Sequence, residues 1–150
     1  MRIQQDTHSC GVMAVLNATK ALGLNISEAK VRAHTATIED GTSEHGVKNA
    51  LERLGLDYSD FKCNKGEEFM DVWASVGAGA AVILSVEEHK HWVTVIGING
   101  DDRVIVFDSW NSKKNLIESG VEVCNERQLK RWWKSKTGEF YAIVVRRPKK

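Results

Sequence analysis

The sequence predicts an α+β fold, with an N-terminal helical half packed on a twisted antiparallel β-sheet. Three observations carry this expectation. Helical apolar spacing with capping signals dominates the first half of the chain. Short, β-rich apolar runs dominate the second half, and helices followed by strands argue against alternating α/β units. The only proline among 150 residues, Pro148, lies in the C-terminal tail, so no linker announces a second domain. That length suits one domain, residues 1–150.

Each element has a local reason. Ser9 can cap a helix from Cys10 to about Leu22, which Gly23 ends. Ser27 can cap a second helix from Glu28 to His34, and Ser43 a third through Val47, Ala50, Leu51 and Leu54, stopped by Gly55. A fourth covers Glu67 to Val76, before the loop Gly77-Ala78-Gly79. Strands are expected over Ala80–Val86, His91–Ile98, Arg103–Asp108 and Glu139–Arg146. Between the last two, Asn125-Glu126-Arg127-Gln128 reads as a capping box that starts a helix ending near Trp133. Several strands are apolar on both faces, so helices should cover the sheet.

Charge and cysteine usage restrict the function classes. The formal net charge is +1, but residues 1–75 hold eight Lys/Arg against eleven Asp/Glu, and residues 76–150 thirteen against nine. The basic excess sits in Lys130-Arg131-Trp132-Trp133-Lys134 and Arg146-Arg147-Pro148-Lys149-Lys150, which reads as a solvated face and a frayed tail. Nucleic acid is therefore not an expected partner. No apolar stretch is long enough to span a bilayer, and no apolar signal-peptide core follows Met1. Cys10, Cys63 and Cys124 are odd in number and widely spaced, which is no disulfide framework. A cytoplasmic protein without membrane association is the expectation.

The chemistry begins at Cys10. A cysteine at a helix N-terminus meets unpaired N–H groups and the positive end of the helix dipole, and both favour the thiolate nucleophile. Such a nucleophile needs a base, a group that orients the base, and an oxyanion hole. His91 is the best base, because it opens the strand His91-Trp92-Val93-Thr94-Val95-Ile96. Asn99-Gly100 is a strong two-residue turn signal. With those two residues as the loop, Ile98 pairs with Asp101, and His91 falls opposite Asp108 with Cβ atoms about 5 Å apart. A longer loop through Asp101-Asp102 leaves His91 and Asp108 diagonal but on one face. The Cys10 backbone N–H and the side-chain amide of Gln4 or Gln5 are the available oxyanion donors.

Competing roles are weaker. His8 sits on a loop, and His34 and His45 read as surface or capping residues. His89 and His91 could join Cys10 around a metal, but no second ligand pair stands at zinc spacing. Cys63 and Cys124 read as bystanders. Trp73, Trp92 and Trp110 read as core or cleft wall, and one ring of Trp132-Trp133 is expected to be exposed.

Gln4-x-Asp6-x-x-x-Cys10-Gly11 resembles the active-site segment of papain-like cysteine peptidases, in particular the bacteriocin-processing, double-glycine leader peptidase branch and its stand-alone relatives. Gly41-Thr42-Ser43-Glu44-His45-Gly46, His91-Trp92-Val93 and Asp108 resemble the later motifs of that family, in its order of Cys, His, Asp. The likeness covers about the first 110 residues. It implies a papain-like fold, a catalytic triad of Cys10, His91 and Asp108, and Gln4 rather than Gln5 as the oxyanion amide. The implied activity is that of a cysteine peptidase cleaving a peptide or isopeptide bond of a peptide or protein substrate through a thioester, with no metal or organic cofactor. Two departures stand out. The family usually has Asp-Pro where this chain has Asp108-Ser109, and often an acidic residue where Ser9 stands. A glutamine deamidase or transglutaminase would use the same triad. An inactive papain-like binding module would not need Cys10, His91 and Asp108 together.

Overall fold

The computed structural model describes residues 10–34, 37–38, 41–42, 44–63, 68–86, 91–99, 103–107, 121–133 and 140–148, with backbone only at 10, 37–38, 41–42, 44–45, 61–63, 68–71 and 121–122. The elements run α1 (Cys10–Ala21), α2 (Glu28–His34), β1 (Thr37–Ile38), β2 (Gly41–Thr42), α3 (Glu44–Arg53), β3 (Asp57–Cys63), α4 (Glu68–Gly77), β4 (Ala81–Val86), β5 (His91–Asn99), β6 (Arg103–Phe107), β7 (Val121–Cys124), α5 (Glu126–Trp133) and β8 (Phe140–Arg146). Strands β1 and β2 form a small ladder of their own.

The helix ends follow the local signals. Ser27 Oγ accepts the Lys30 N–H at 3.1 Å and caps α2. At the end of α1, Gly23 adopts φ 75° while its N–H bonds to Lys20 O and the N–H of Leu24 to Thr19 O. Gly55 repeats this pattern after α3 with φ 76°. Both are Schellman endings, in which glycine takes the left-handed conformation without a Cβ clash. Asn125 and Gln128 form the reciprocal capping box of α5, each backbone N–H donating to the other's side-chain oxygen at 2.9 Å.

The six main strands form an antiparallel sheet in the order β3-β8-β4-β5-β6-β7. The last strand of the chain is thus an inner strand, and Phe140 to Val145 are all buried. Alternation along the inner strands divides the apolar side chains between two cores. On one face Ile83, Trp92, Tyr141, Ile143 and Val145 pack with Val12, Val15 and Leu16 of α1, Val31 of α2 and Val47 and Leu51 of α3. On the other, Val82, Leu84, Val93, Val95, Val104, Ala142 and Val144 pack with Val72 and Val76 of α4 and Leu129 and Trp133 of α5. Covered on both sides, β4 is buried at every residue and apolar at all but Ser85, as the sequence implied.

Three expectations need correction. Strand β3 lies inside the half that reads helical. Its sequence, Asp-Tyr-Ser-Asp-Phe-Lys-Cys, is largely polar because β3 is an edge strand, paired with β8 alone. The β5–β6 turn is not the two-residue one. Asn99 pairs with Arg103, and Ile98 with Val104 rather than Asp101. Three residues separate that closing pair. A bulge between Val95 and Gly97 then takes one residue out of step before Val95 meets Val106 and Thr94 meets Phe107. Finally, neither tryptophan of Trp132-Trp133 is fully exposed. Trp133 is fully buried and Trp132 half-buried against the same core.

Candidate active site

Residues 11–19 of α1 are buried without interruption, so the helix has no solvent face until its last turn. A helix covered all round can tolerate few unpartnered polar groups. Thr19 accordingly donates its hydroxyl to Leu16 O at 2.6 Å. The main support of α1 is β5, along which it packs. There the buried hydroxyl of Thr94 donates to the carbonyl of Ala14 at 3.0 Å.

The direction of α1 follows from its far end. A Cβ built on Gly23, just past the helix, would lie 3.1 Å from a guanidinium nitrogen of Arg147. Arg147 follows β8, whose last residues pair with Asp57 at the start of β3 and, through Val145, with Ala81 at the start of β4. The C-terminal end of α1 therefore lies at this end of the sheet. Its first residue, Cys10, lies toward the opposite end, where β4 finishes at Val86 and β5 begins, with Val86 and His91 as Cα partners. From the Ala14–Thr94 contact, Cys10 is four residues or about 6 Å along the helix. His91 is three residues or about 10 Å along the strand. The starts of α1 and β5 thus share one end of the molecule.

His91 is buried, with 8% exposure, and it has an interaction partner. Alternation sends Trp92 and Thr94 toward α1, whereas His91 shares the row of Val93 and Val95. As the first residue of its strand it stands at the rim of the sheet. Trp92 walls the α1 side, its ring edge-on to Tyr141 with centroids 6.1 Å apart. The Tyr141 hydroxyl donates to Asp60 Oδ2 at 2.9 Å, and Lys48 Nζ of α3 donates to the same oxygen at 3.0 Å. The Lys48 hydrogen bond is the chief reason the Asp60 carboxyl titrates below its ordinary 3.8; partial burial opposes it, and the Tyr141 hydroxyl assists.

Of the residues the sequence nominated, His91 is described in full and Cys10 as the backbone start of α1; Gln4, Gln5, Asp108 and Trp110 lie outside the described residues. Cys124 is buried in the second core. Thr94 and the Lys48–Asp60–Tyr141 group were not nominated. Thr94 did carry a signal, a hydroxyl between the apolar Val93 and Val95, which burial obliges to find an acceptor. Asp60 and Tyr141 are 81 residues apart in the chain, and nothing local links them.

A buried helix opening on a cysteine and packed along an antiparallel sheet, one strand of which opens on a histidine, is the architecture of papain-like cysteine peptidases. Residues 1–134 match the Peptidase C39 family, and the chain belongs to that family. It is 33% identical over 99 residues to the Lactococcin-G-processing and transport ATP-binding protein LagD of Lactococcus lactis subsp. lactis; the match covers 66% of this chain but only 14% of that protein. Among solved structures it is similar to the peptidase domain of Streptococcus ComA, a bifunctional ABC transporter involved in quorum sensing. The TM-score is 0.72 at 20% identity, covering 99% of this chain and 97% of that one. The double glycine motif protease of an AMS/PCAT transporter, solved with its leader peptide, gives a TM-score of 0.69 at 13% identity, covering 99% and 90%. At such identities the two structures bear on the fold.

Proposed function

We propose that the chain hydrolyses a peptide bond with Cys10 as nucleophile, His91 as base, Asp108 as its orienting carboxylate and Gln4 as an oxyanion donor. The observation that carries this reading is that the starts of α1 and β5 share one end of the sheet in a chain of the C39 family. His91 takes the proton of the Cys10 thiol, from the rim of the sheet rather than from the face that α1 covers. The sulfur attacks the substrate carbonyl carbon, and negative charge collects on the carbonyl oxygen. The Cys10 N–H and the Gln4 amide stabilise that charge. Removal of one such donor typically costs about 3 kcal/mol of barrier. The C–N bond then breaks as His91 returns its proton to the leaving amine. Water, deprotonated by His91, opens the thioester and frees the acid. No step calls for a metal or organic cofactor.

The pairing of Thr94 with Phe107 supports the place given to Asp108, the next residue. The substrate we propose is a leader segment ending in a double glycine. LagD is named for processing lactococcin G, and the AMS/PCAT protease was solved with a leader peptide. Among the described residues no helix is long and apolar enough to cross a membrane. We place this peptidase in the cytoplasm, where three widely spaced cysteines stay reduced, with neither membrane nor nucleic acid as its partner.

The test is digestion of a double-glycine leader peptide, followed by mass spectrometry. Wild-type chain should yield two fragments, and Cys10→Ala and His91→Ala should yield none while keeping the folded circular-dichroism spectrum. Turnover by either variant would overturn the assignment. A small mass gain without cleavage would indicate side-chain deamidation instead.

A further inference from the structure

We propose that Thr94 is a positioning residue whose hydroxyl holds α1 at one place on β5 and so sets the separation of Cys10 from His91; the inference rests on the proposed pair. Thr94 is fully buried between Val93 and Val95, a site where valine would bury as well without desolvating a hydroxyl. The hydroxyl is engaged by Ala14 O at 3.0 Å, between residues 80 apart in the chain. A carbonyl inside a helix already accepts from the residue four places on, and its second lone pair is free for another donor. The bond therefore serves no need of α1 itself. Its effect is on placement. The contacts around it, among Val12, Val15, Leu16 and Trp92, are apolar, and apolar burial is non-directional, leaving small slides and rotations inexpensive. A hydrogen bond, by contrast, constrains both distance and angle. It lies one helical turn from Cys10 and three residues from His91, and reacting groups misplaced by about 1 Å can lose 100-fold in rate.

The experiment compares Thr94→Val, which keeps shape and loses the hydroxyl, with Thr94→Ser, which keeps the hydroxyl. Each is assayed for kcat and KM on the leader peptide, for the pH dependence of Cys10 alkylation by iodoacetamide, and for melting temperature. Thr94→Val should lower kcat roughly 10- to 100-fold with KM little changed. It should also move the midpoint of Cys10 alkylation to higher pH, because a displaced imidazole stabilises the thiolate less. Thr94→Ser should restore both within about threefold. Wild-type kcat and an unmoved alkylation profile in folded Thr94→Val would overturn the proposal, whatever the melting temperature. If Thr94→Val does not fold, Thr94→Ala against Thr94→Ser decides in its place, equal kcat being the refuting result. Turnover by Cys10→Ala would instead sink the pair itself, a result separable from any effect at Thr94.

Discussion

The indole N–H of Trp133 donates to the main-chain carbonyl of Tyr141 at 2.8 Å, deep in the core between the sheet and helices α4 and α5. The same ring stands edge-on to Phe140, with centroids 4.9 Å apart. This one residue of α5 therefore ties the helix to the inner strand β8 by a directional bond and by packing.

Two substitutions separate these contributions. Trp133→Phe keeps an aromatic ring and loses the donor, and should cost about 1–2 kcal/mol. Trp133→Ala also opens a cavity and should cost about 3–5 kcal/mol. Urea unfolding monitored by circular dichroism gives both values. Equal losses would show that packing matters little here.

Tyr141 is held at its other end by Asp60, whose carboxyl also receives Lys48. Because the folded state lowers the Asp60 pKa, this group adds stability above the ordinary carboxylate value, and the addition is lost as pH falls through the lower folded value. The ion pair is about one-third exposed, so solvent screens it and less than about 1 kcal/mol is expected. Asp60→Asn should be slightly less stable than wild type at neutral pH. The gap should close in acid, once the pH has fallen through the lowered folded value and wild-type Asp60 is protonated as well. A gap that stays constant in urea titrations at both pH values would rule out this origin.

The capping box of α5 gives a local test. Asn125→Ala removes the acceptor for the Gln128 N–H and should cost about 1 kcal/mol. Asn125→Asp keeps an acceptor, adds charge at the positive end of the helix, and should match or exceed wild type. Thermal melts of the two variants check the order.

At the proposed site, Gln4→Ala should lower kcat by roughly 100- to 1000-fold, whereas Gln5→Ala should change it little. Asp108→Asn should reduce kcat sharply by leaving the imidazole poorly oriented, with KM nearly constant. Steady-state kinetics on the leader peptide read both. A larger loss at Gln5 than at Gln4 would reassign the oxyanion amide.

Much of the molecule was legible in the chain alone. Helix ends at Gly23 and Gly55, the caps at Ser27 and Asn125, and the apolar runs of β4, β5 and β8 all depend on residues within a few positions of one another. Cys10 at a helix start and His91 at a strand start belong to the same category. Edge strands escaped because one apolar face or less is enough for them, as β3 and β7 illustrate. The β5–β6 turn was misjudged because Asn99-Gly100 is the stronger short signal, and Gly97, a lone glycine inside a strand, was the one local hint of the bulge.

By itself, then, the sequence determined the class of fold and the identity of most elements, and it nominated the residues proposed for catalysis, since each follows from local backbone preference, hydrophobic period or side-chain type. Only the tertiary structure decided that β8 runs between β3 and β4, that α1 runs along β5 with Cys10 toward the His91 end, and that Thr94 meets Ala14. Those relations join residues far apart in the chain, Ala14 and Thr94 by 80 positions and Asp57 and Arg146 by 89. They are settled by the packing of a covered helix on a twisted sheet, which no short stretch of sequence encodes.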